Sequence, residues 1–267
     1  MGSIGFSFFR WSGISLNDLK FVGLQNYKTI FLQDPVFWRA LLNNLIFVGG
    51  AIVFQCTIGL IVALLLEQRL LFRNFLRGTY FLPAVVSLTI IGIVFEILLN
   101  PELGVLKGLL GRIGLGYFAN PSQWLSDKNK AIYVLLAIQV WYGFGWSMFI
   151  FVSGLKSINP ELYEAATMDG ATGAKKIVYI TLPSLKGTYA VAILFATLWA
   201  MRVFELPFII TRGGPGHATE VLATWIYSKG FTYTRVGYGS ALATILLIFG
   251  ISLSFLIFRY TGMGKGE

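Results

Sequence analysis

Two charged residues, Arg202 and Glu205, interrupt an otherwise apolar stretch of the sequence. Residues three apart share one face of a helix, where a guanidinium and a carboxylate can pair. Charges in apolar surroundings are costly and usually face protein or a water-filled cavity. Two interpretations therefore stay open: a structural ion pair, or participation in a polar path for a solute. Further candidates for such a path, or else for helix packing and an interfacial belt, are Gln139, Trp141, Tyr142 and Trp146.

The glycine-rich segment TRGGPG, residues 211–216, lacks the Lys-Ser/Thr ending of a nucleotide-binding loop, and the pattern G-x-x-x-x-G-K-[ST] occurs nowhere in the sequence. The lone His217 has no Cys, His or paired acids at ligand spacing, so no metal site is predicted. No Ser/His/Asp, His-rich or paired-carboxylate constellation points to an enzyme. The sequence therefore predicts neither catalysis nor a resident cofactor in this chain.

The elements that must position these residues are long and apolar. The chain has 267 residues, of which 56% are hydrophobic and 12% charged, far from the composition of an average soluble protein. A helix needs roughly 20 apolar residues to cross a hydrocarbon core. The sequence therefore predicts an all-α integral membrane protein, a polytopic helical bundle with five spans. The windows that reach this length are 45–66, 78–99, 131–155, 187–211 and 236–258.

The basic residues indicate how the chain lies in the membrane. The formal net charge of +9 is scattered through loops, which favours contact with anionic lipid headgroups over nucleic acid. Lys and Arg are densest near span ends in residues 67–77 and 156–186. The positive-inside bias then places both segments and the C-terminus in the cytoplasm, in a multi-pass protein of the cytoplasmic (inner) membrane.

The polar insert 156–186 separates two of the apolar windows. Asn159 and Pro160 are typical of a helix start, because Asn caps free amides and Pro suits the first helical position. Gly170 follows this short helix, where a positive φ is often needed. A second short helix is predicted over 172–181, with Pro183 ending it before the next span. The insert is therefore interpreted as a helix-turn-helix at the membrane surface.

The insert reproduces a long fixed pattern. Glu-Ala-Ala at 164–166, Gly170 after three more residues, and Ile-Thr-Leu-Pro at 180–183 after nine more give E-A-A-x-x-x-G-x9-I-x-L-P. This pattern resembles the cytoplasmic loop of permease subunits of binding-protein-dependent ABC importers. Segments 21–31, 72–83 and 210–222 are similar to the carbohydrate-uptake members related to maltose and glycerol-phosphate permeases. The resemblance covers nearly the whole chain and implies the type I ABC importer permease fold.

In that family the insert docks on an ATP-binding subunit and transmits its opening and closing. The resemblance implies that Glu164 pairs with a basic group of this partner and that Gly170 makes the turn. It also implies two ATPase subunits that use ATP and Mg, a second, similar permease in a heterodimer, and an extracytoplasmic solute-binding protein. The residues assigned to coupling are Glu164, Ala165, Ala166, Asp169, Gly170, Ile180, Leu182 and Pro183.

The chain departs from the family pattern at its start. Family members usually have six or more spans, whereas the opening GFSFFRWSG resembles only the outer end of their first helix. Either the start is truncated or this member lacks that helix. The expected organisation is an external segment and first-span remnant over 1–37, a transmembrane domain over 38–260 and a cytoplasmic tail over 261–267.

The resemblance implies translocation of a sugar, an oligosaccharide or a related polyol. The same importer class could instead carry another solute, such as a glycerol-phosphate ester or a peptide. A self-contained channel or secondary transporter is the alternative of a different class. It would be expected to work without ATP, and the inverted repeats common in secondary transporters are not visible in the sequence.

Overall fold

The computed structural model of the chain describes residues 2–68, 72–100 and 121–261, together with residues 108 and 111–112. Of the predicted tail 261–267, residues 262–267 lie outside the described residues. Two short strands, β1 (Phe9–Arg10) and β2 (Lys20–Phe21), pair antiparallel. The described helices are α1 (Gly2–Phe6), α2 (Gln25–Gln33), α3 (Pro35–Glu67), α4 (Arg73–Val85), α5 (Leu88–Leu99), α6 (Pro121–Ser126), α7 (Ala131–Lys156), α8 (Pro160–Met168), α9 (Gly173–Ser184), α10 (Lys186–Met201), α11 (Leu222–Tyr227) and α12 (Val236–Thr261).

Among the described residues, three helices, α3, α7 and α12, are long and apolar enough to cross a membrane. The number rises to five if each of two bent pairs, α4 with α5 and α9 with α10, forms one span. Windows 45–66, 131–155 and 236–258 lie within the three long helices. The predicted all-α polytopic bundle is confirmed, with five as the upper count of spans in the part of the chain that the structure describes.

The window 78–99 is two helices rather than one. The axes of α4 and α5 meet at 88°, and Val86 and Ser87 between them are extended, with ψ values of 143° and 132°. Pro83 lies in the last turn of α4, where it cannot donate a hydrogen bond to the preceding turn. The weakened end of α4 explains why the chain turns there.

The expectation that Arg202 and Glu205 share a helix face is wrong. Helix α10 ends at Met201, and helical structure resumes only at Glu205. The reason lies in Pro207, which has no amide donor and would clash with the carbonyl of Val203 in a continuous helix. Pro207 instead stands at the start of a π-helical turn, Pro207–Thr211. The side chains of Arg202 and Glu205 form no ion pair with each other in the part of the chain that the structure describes.

The second helix of the insert is also longer than predicted. It begins at Gly173 and ends at Ser184, so Pro183 lies inside it rather than stopping it near Thr181. A π-helical turn, Ile177–Thr181, precedes the proline, and the Leu182 amide donates to the carbonyl of Ile177. This widened turn has an i→i+5 bond, which relieves the clash that proline causes in a regular α-helix.

The chain divides into two compact units, each built from three stretches of sequence. Unit 1 comprises Met1–Val48, Ser87–Gln139 and Ala200–Ser252, and its core gathers Phe37 and Leu242 around buried Trp225. Unit 2 comprises Gly49–Val86, Val140–Trp199 and Leu253–Glu267. In unit 2, α3 and α7 approach closely at Gly59, where an added Cβ would lie 2.7 Å from Ser147 Cβ.

Candidate functional site

The helical hairpin formed by α8, the turn 169–172 and α9 lies entirely in unit 2. Its first helix begins as the sequence predicts. The Asn159 side chain accepts a hydrogen bond from the Glu161 amide at 3.0 Å, and Pro160 occupies the first turn. This cap pairs an amide that otherwise has no partner within the helix, so α8 has a fixed starting point.

The end of α8 is equally well defined. Gly170 has a φ of 73°, which confirms the predicted positive value. The Ala171 amide donates to the carbonyl of Ala166 at 2.8 Å, and the Gly170 amide donates to that of Thr167 at 3.0 Å. These two bonds make a Schellman motif. An added Cβ at Gly170 would meet no atom within 4 Å, so the backbone conformation, not lack of space, requires glycine.

Side-chain hydrogen bonds join the two helices of the hairpin. The Tyr163 hydroxyl lies 2.9 Å from Thr181 Oγ1, and Lys176 Nζ donates to Thr167 Oγ1 at 2.6 Å. Thr181 is buried, and its hydroxyl also donates to the carbonyl of Lys176. Capped at both ends of α8 and joined across α8 and α9, the hairpin can move as one rigid piece.

The hairpin presents most of its predicted coupling residues to solvent. Glu164 is exposed and forms no ion pair among the described residues. Two large hydrophobic side chains of the hairpin, Met168 and Tyr179, are also 89% and 76% exposed. Of the eight residues assigned to coupling, Ala166 and Ile180 are half-buried, and the exposed ones are Glu164, Ala165, Asp169, Gly170, Leu182 and Pro183.

The structure divides the six predicted solute-path residues between the two units. Gln139, Arg202 and Glu205 belong to unit 1, whereas Trp141, Tyr142 and Trp146 belong to unit 2. Gln139 is 4% exposed, and its Oε1 atom has no hydrogen-bond partner among the described residues. Arg202 is exposed and Glu205 half-buried. The ring of Tyr142 stacks on that of Trp199, with centres 6.5 Å apart.

A cavity of about 310 Å³ lies within unit 2. Trp146 and Trp199 form an aromatic corner of this cavity, with ring centres 5.5 Å apart. Gln55, which also lines it, is buried and donates to Ser147 Oγ at 3.1 Å. The sequence did not single out Gln55 or Trp199 as candidate site residues. The signal that could have revealed Gln55 is its place as a polar Gln in the apolar run AIVFQCTIG. Gln55 ends the π-helical turn Ala51–Gln55, and such turns are frequent at functional sites.

The glycine-rich loop is fixed to unit 1 by buried polar contacts. His217 Nδ1 lies 3.0 Å from Glu220 Oε2, and the Glu220 side chain is 5% exposed. The Asn43 side chain donates to the carbonyls of Ala218 and Glu220, at 2.8 and 2.7 Å. No group of three His, Cys, Asp or Glu in the described part of the chain could hold a metal ion.

Asp34 joins three elements of unit 1. Its Oδ1 atom caps α3 by accepting from the Phe37 amide at 3.2 Å, and its Oδ2 atom accepts from Trp225 Nε1 at 2.8 Å and from the Tyr238 hydroxyl. Lys229 Nζ lies 4.1 Å from the centre of the Trp225 ring. Burial lowers the pKa of Lys229, while the nearby Asp34 carboxylate acts in the opposite direction.

Residues 55–261 match a family described as the binding-protein-dependent transport system inner membrane component. A probable ABC transporter permease protein, YurN of Bacillus subtilis, is 39% identical over 263 residues, which are 98% of this chain and 89% of that protein. The arabinooligosaccharides transport system permease protein AraP of the same organism is 30% identical over 253 residues, 94% of this chain and 79% of AraP.

The fold is similar to that of a solved membrane protein. A chain from a bacterial ABC transporter involved in the import of the acidic polysaccharide alginate superposes with a TM-score of 0.82. The superposition covers 99% of this chain and 90% of the other, at 23% sequence identity. At this identity the likeness establishes the fold alone.

Proposed function

Because this chain belongs to the family of binding-protein-dependent transport system inner membrane components, we propose that it forms the transmembrane pathway of an ATP-driven importer for a sugar, an oligosaccharide or a related polyol. The name of the relative AraP, an arabinooligosaccharide permease, supports a carbohydrate solute. The solute would be delivered by an extracytoplasmic solute-binding protein. A second, similar permease would complete the pathway as a heterodimer.

The observation that carries this proposal is the capped, exposed hairpin. Two ATPase subunits, which would bind ATP and Mg²⁺, would dock on the hairpins of the two permeases in the cytoplasm. Glu164, an exposed carboxylate with no ion pair among the described residues, would pair with a basic group of the ATPase. Closure of the ATPase dimer would push the hairpins together, and a rigid hairpin passes rigid-body motion to the helices it joins.

The residues that line the unit 2 cavity suit contact with a sugar on the solute path. Trp146 and Trp199 offer flat aromatic surfaces to the apolar face of a sugar ring, and Gln55 and Ser147 offer hydrogen-bonding groups to its hydroxyls. Its volume of about 310 Å³ is at the lower end for small-ligand sites. The earlier candidates, Gln139, Trp141, Tyr142, Arg202 and Glu205, stay proposals for the same path.

The coupling role can be tested by affinity purification of the tagged chain from native membranes in mild detergent, with identification of the proteins recovered. Glu164→Ala removes the carboxylate, and Gly170→Pro breaks the left-handed turn. Matched controls are Glu161→Ala on the same helix and Gly173→Ala, where an added Cβ has open space. Wild type and both controls should recover an ATPase and a second permease. The two test variants should recover at least about tenfold less ATPase, since charge-assisted hydrogen bonds are strong.

The recovery of the second permease serves as the internal measure of folding. Loss of the ATPase together with the second permease would indicate misfolding. In that case Glu164→Gln, which keeps the shape of the side chain and removes its charge, would test the coupling role. Full ATPase recovery with Glu164→Ala and Glu164→Gln would overturn the coupling role. Recovery of the wild-type chain without any ATPase would favour a channel or a secondary transporter.

A further inference from the structure

A second, larger cavity lies in unit 1, and its lining includes none of the predicted solute-path residues. Its volume is about 660 Å³, well within the range of small-ligand sites. It is next to the glycine-rich loop and is bordered by α5 and α11. Its polar lining includes Glu96, Arg212, Glu220, Tyr227, Ser228 and Thr232.

Two charged groups of this lining are held by the loop itself. Glu220 is 4% exposed and is fixed by its contact with His217. Gly213, with a φ of 78°, leaves room for the carboxylate, since an added Cβ would lie close to Glu220 Oε2. Arg212 has a φ of 50°, a left-handed conformation that is unfavourable for a residue with a side chain. Strain of this kind is concentrated at functional sites, where the surrounding structure maintains it.

Aromatic side chains contribute to the same lining. The rings of Tyr227 and Phe208, which both line the cavity, pack edge to face with centres 5.1 Å apart. The Phe204 ring packs against both of these rings. The cavity therefore combines a rigid apolar surface with carboxylate, guanidinium and hydroxyl groups.

This combination fits a sugar ring. Carboxylates accept hydrogen bonds from hydroxyls, a guanidinium donates to them, and an aromatic ring packs against the C–H face of the sugar. The two carboxylates, Glu96 and Glu220, outnumber the single guanidinium of Arg212 in the lining. An anionic sugar is disfavoured by this balance of charge.

We propose that this cavity is a second solute subsite, which binds one ring of a neutral oligosaccharide beside the glycine-rich loop. The proposal rests on the function proposed above, because it gives that function a class of solute and a second place where the solute binds. A subsite on a fixed loop can hold the solute before or after it passes the pathway.

The test is protection of a cysteine placed in the cavity. Thr232→Cys would be introduced in a Cys56→Ala background, which leaves no other cysteine in the chain. The rate of its reaction with a membrane-impermeant maleimide would be measured in vesicles containing the complete importer. Maltotriose, raffinose and arabinotriose are the neutral probes, and trigalacturonate is the anionic one. Asp18→Cys, exposed and outside the cavity lining, is the matched control.

At least one neutral probe should slow labelling of Cys at position 232 in a saturable manner and leave the Asp18→Cys control unchanged. Adding Glu96→Gln should raise the concentration needed for half-protection about tenfold, since a hydrogen bond to a charged group is lost. No protection by any neutral probe, or equal protection by trigalacturonate, would overturn the proposal. ATP-dependent sugar uptake by the same vesicles distinguishes the subsite proposal from the importer proposal. Uptake without protection of the cysteine refutes only the subsite, whereas absence of uptake refutes the importer.

Discussion

At the scale of single residues, Asp34 has more structural consequences than its place in the sequence suggests. One half-buried carboxylate caps helix α3 and accepts hydrogen bonds from Trp225 and Tyr238. Trp225 is 4% exposed and belongs to the core of unit 1. The loss of this carboxylate would leave the indole N–H of a core residue without its acceptor. An unpaired buried donor destabilises a protein more than the removal of both partners of a hydrogen bond does.

We expect Asp34→Ala to lower the free energy of unfolding by about 2–4 kcal/mol, because it removes a helix cap and leaves a buried donor unpaired. Asp34→Asn keeps an acceptor and a good cap, so its effect should be at most half as large. Thermal unfolding in detergent, followed by tryptophan fluorescence, measures the difference. Asp18→Ala at an exposed position is the control, and an equal unfolding temperature for Asp18→Ala and Asp34→Ala would contradict the expectation.

At the scale of elements, the helices of unit 2 are brought together by glycines. At Gly59 of α3 an added Cβ would lie 2.7 Å from Ser147 Cβ and 2.8 Å from the Met148 amide nitrogen of α7. At Gly145 of α7 it would lie 2.7 Å from the carbonyl oxygen of Tyr80 in α4. Small residues at such crossings let backbones approach closely, which is how membrane helices gain packing energy when apolar lipid surrounds them.

Gly59→Ala should destabilise the protein by about 1–3 kcal/mol, because the backbone of α7 has to move away from the added methyl group. Gly49→Ala is the matched control. Gly49 lies in the same helix, at a position where an added Cβ would meet no atom within 4 Å. It should be neutral or stabilising by up to about 1 kcal/mol, as alanine favours helix more than glycine does. Unfolding midpoints of the two variants in detergent compare them directly, and equal midpoints would argue against the close crossing.

At the scale of the whole molecule, the function requires a defined orientation in the membrane. The hairpin has to face the ATPase in the cytoplasm, and the glycine-rich loop would then face outward. The support for this orientation is the density of Lys and Arg near the ends of the predicted spans in residues 67–77 and 156–186.

Two single cysteines in the Cys56→Ala background test the orientation. Lys175 on the hairpin and Arg235 before α12 are both exposed, so each can be replaced at little structural cost. Lys175→Cys should react with an impermeant maleimide only in inside-out vesicles, and Arg235→Cys only in right-side-out vesicles. The reverse pattern would place the hairpin outside and exclude a cytoplasmic ATPase as its partner.

The sequence by itself determined the features that depend on neighbouring residues. Length and hydropathy predicted the polytopic helical bundle, and the cap at Asn159 and the positive φ of Gly170 followed from local rules that need no tertiary contact. The fixed spacing of residues from Glu164 to Pro183 also indicated the resemblance to the permease family. The coupling and solute-path roles stay predictions, since they depend on partners and solutes.

Only the tertiary structure decided which distant residues meet. Asp34 and Trp225 are 191 residues apart in the chain and Gln55 and Ser147 are 92 apart, so no local pattern could pair them. The break after Met201 was missed because hydropathy registers an apolar window but not the backbone restriction that Pro207 imposes. Capping residues specified where α8 begins and ends, and hydropathy specified which windows are helical. The cavities instead arise from packing between segments far apart in the chain.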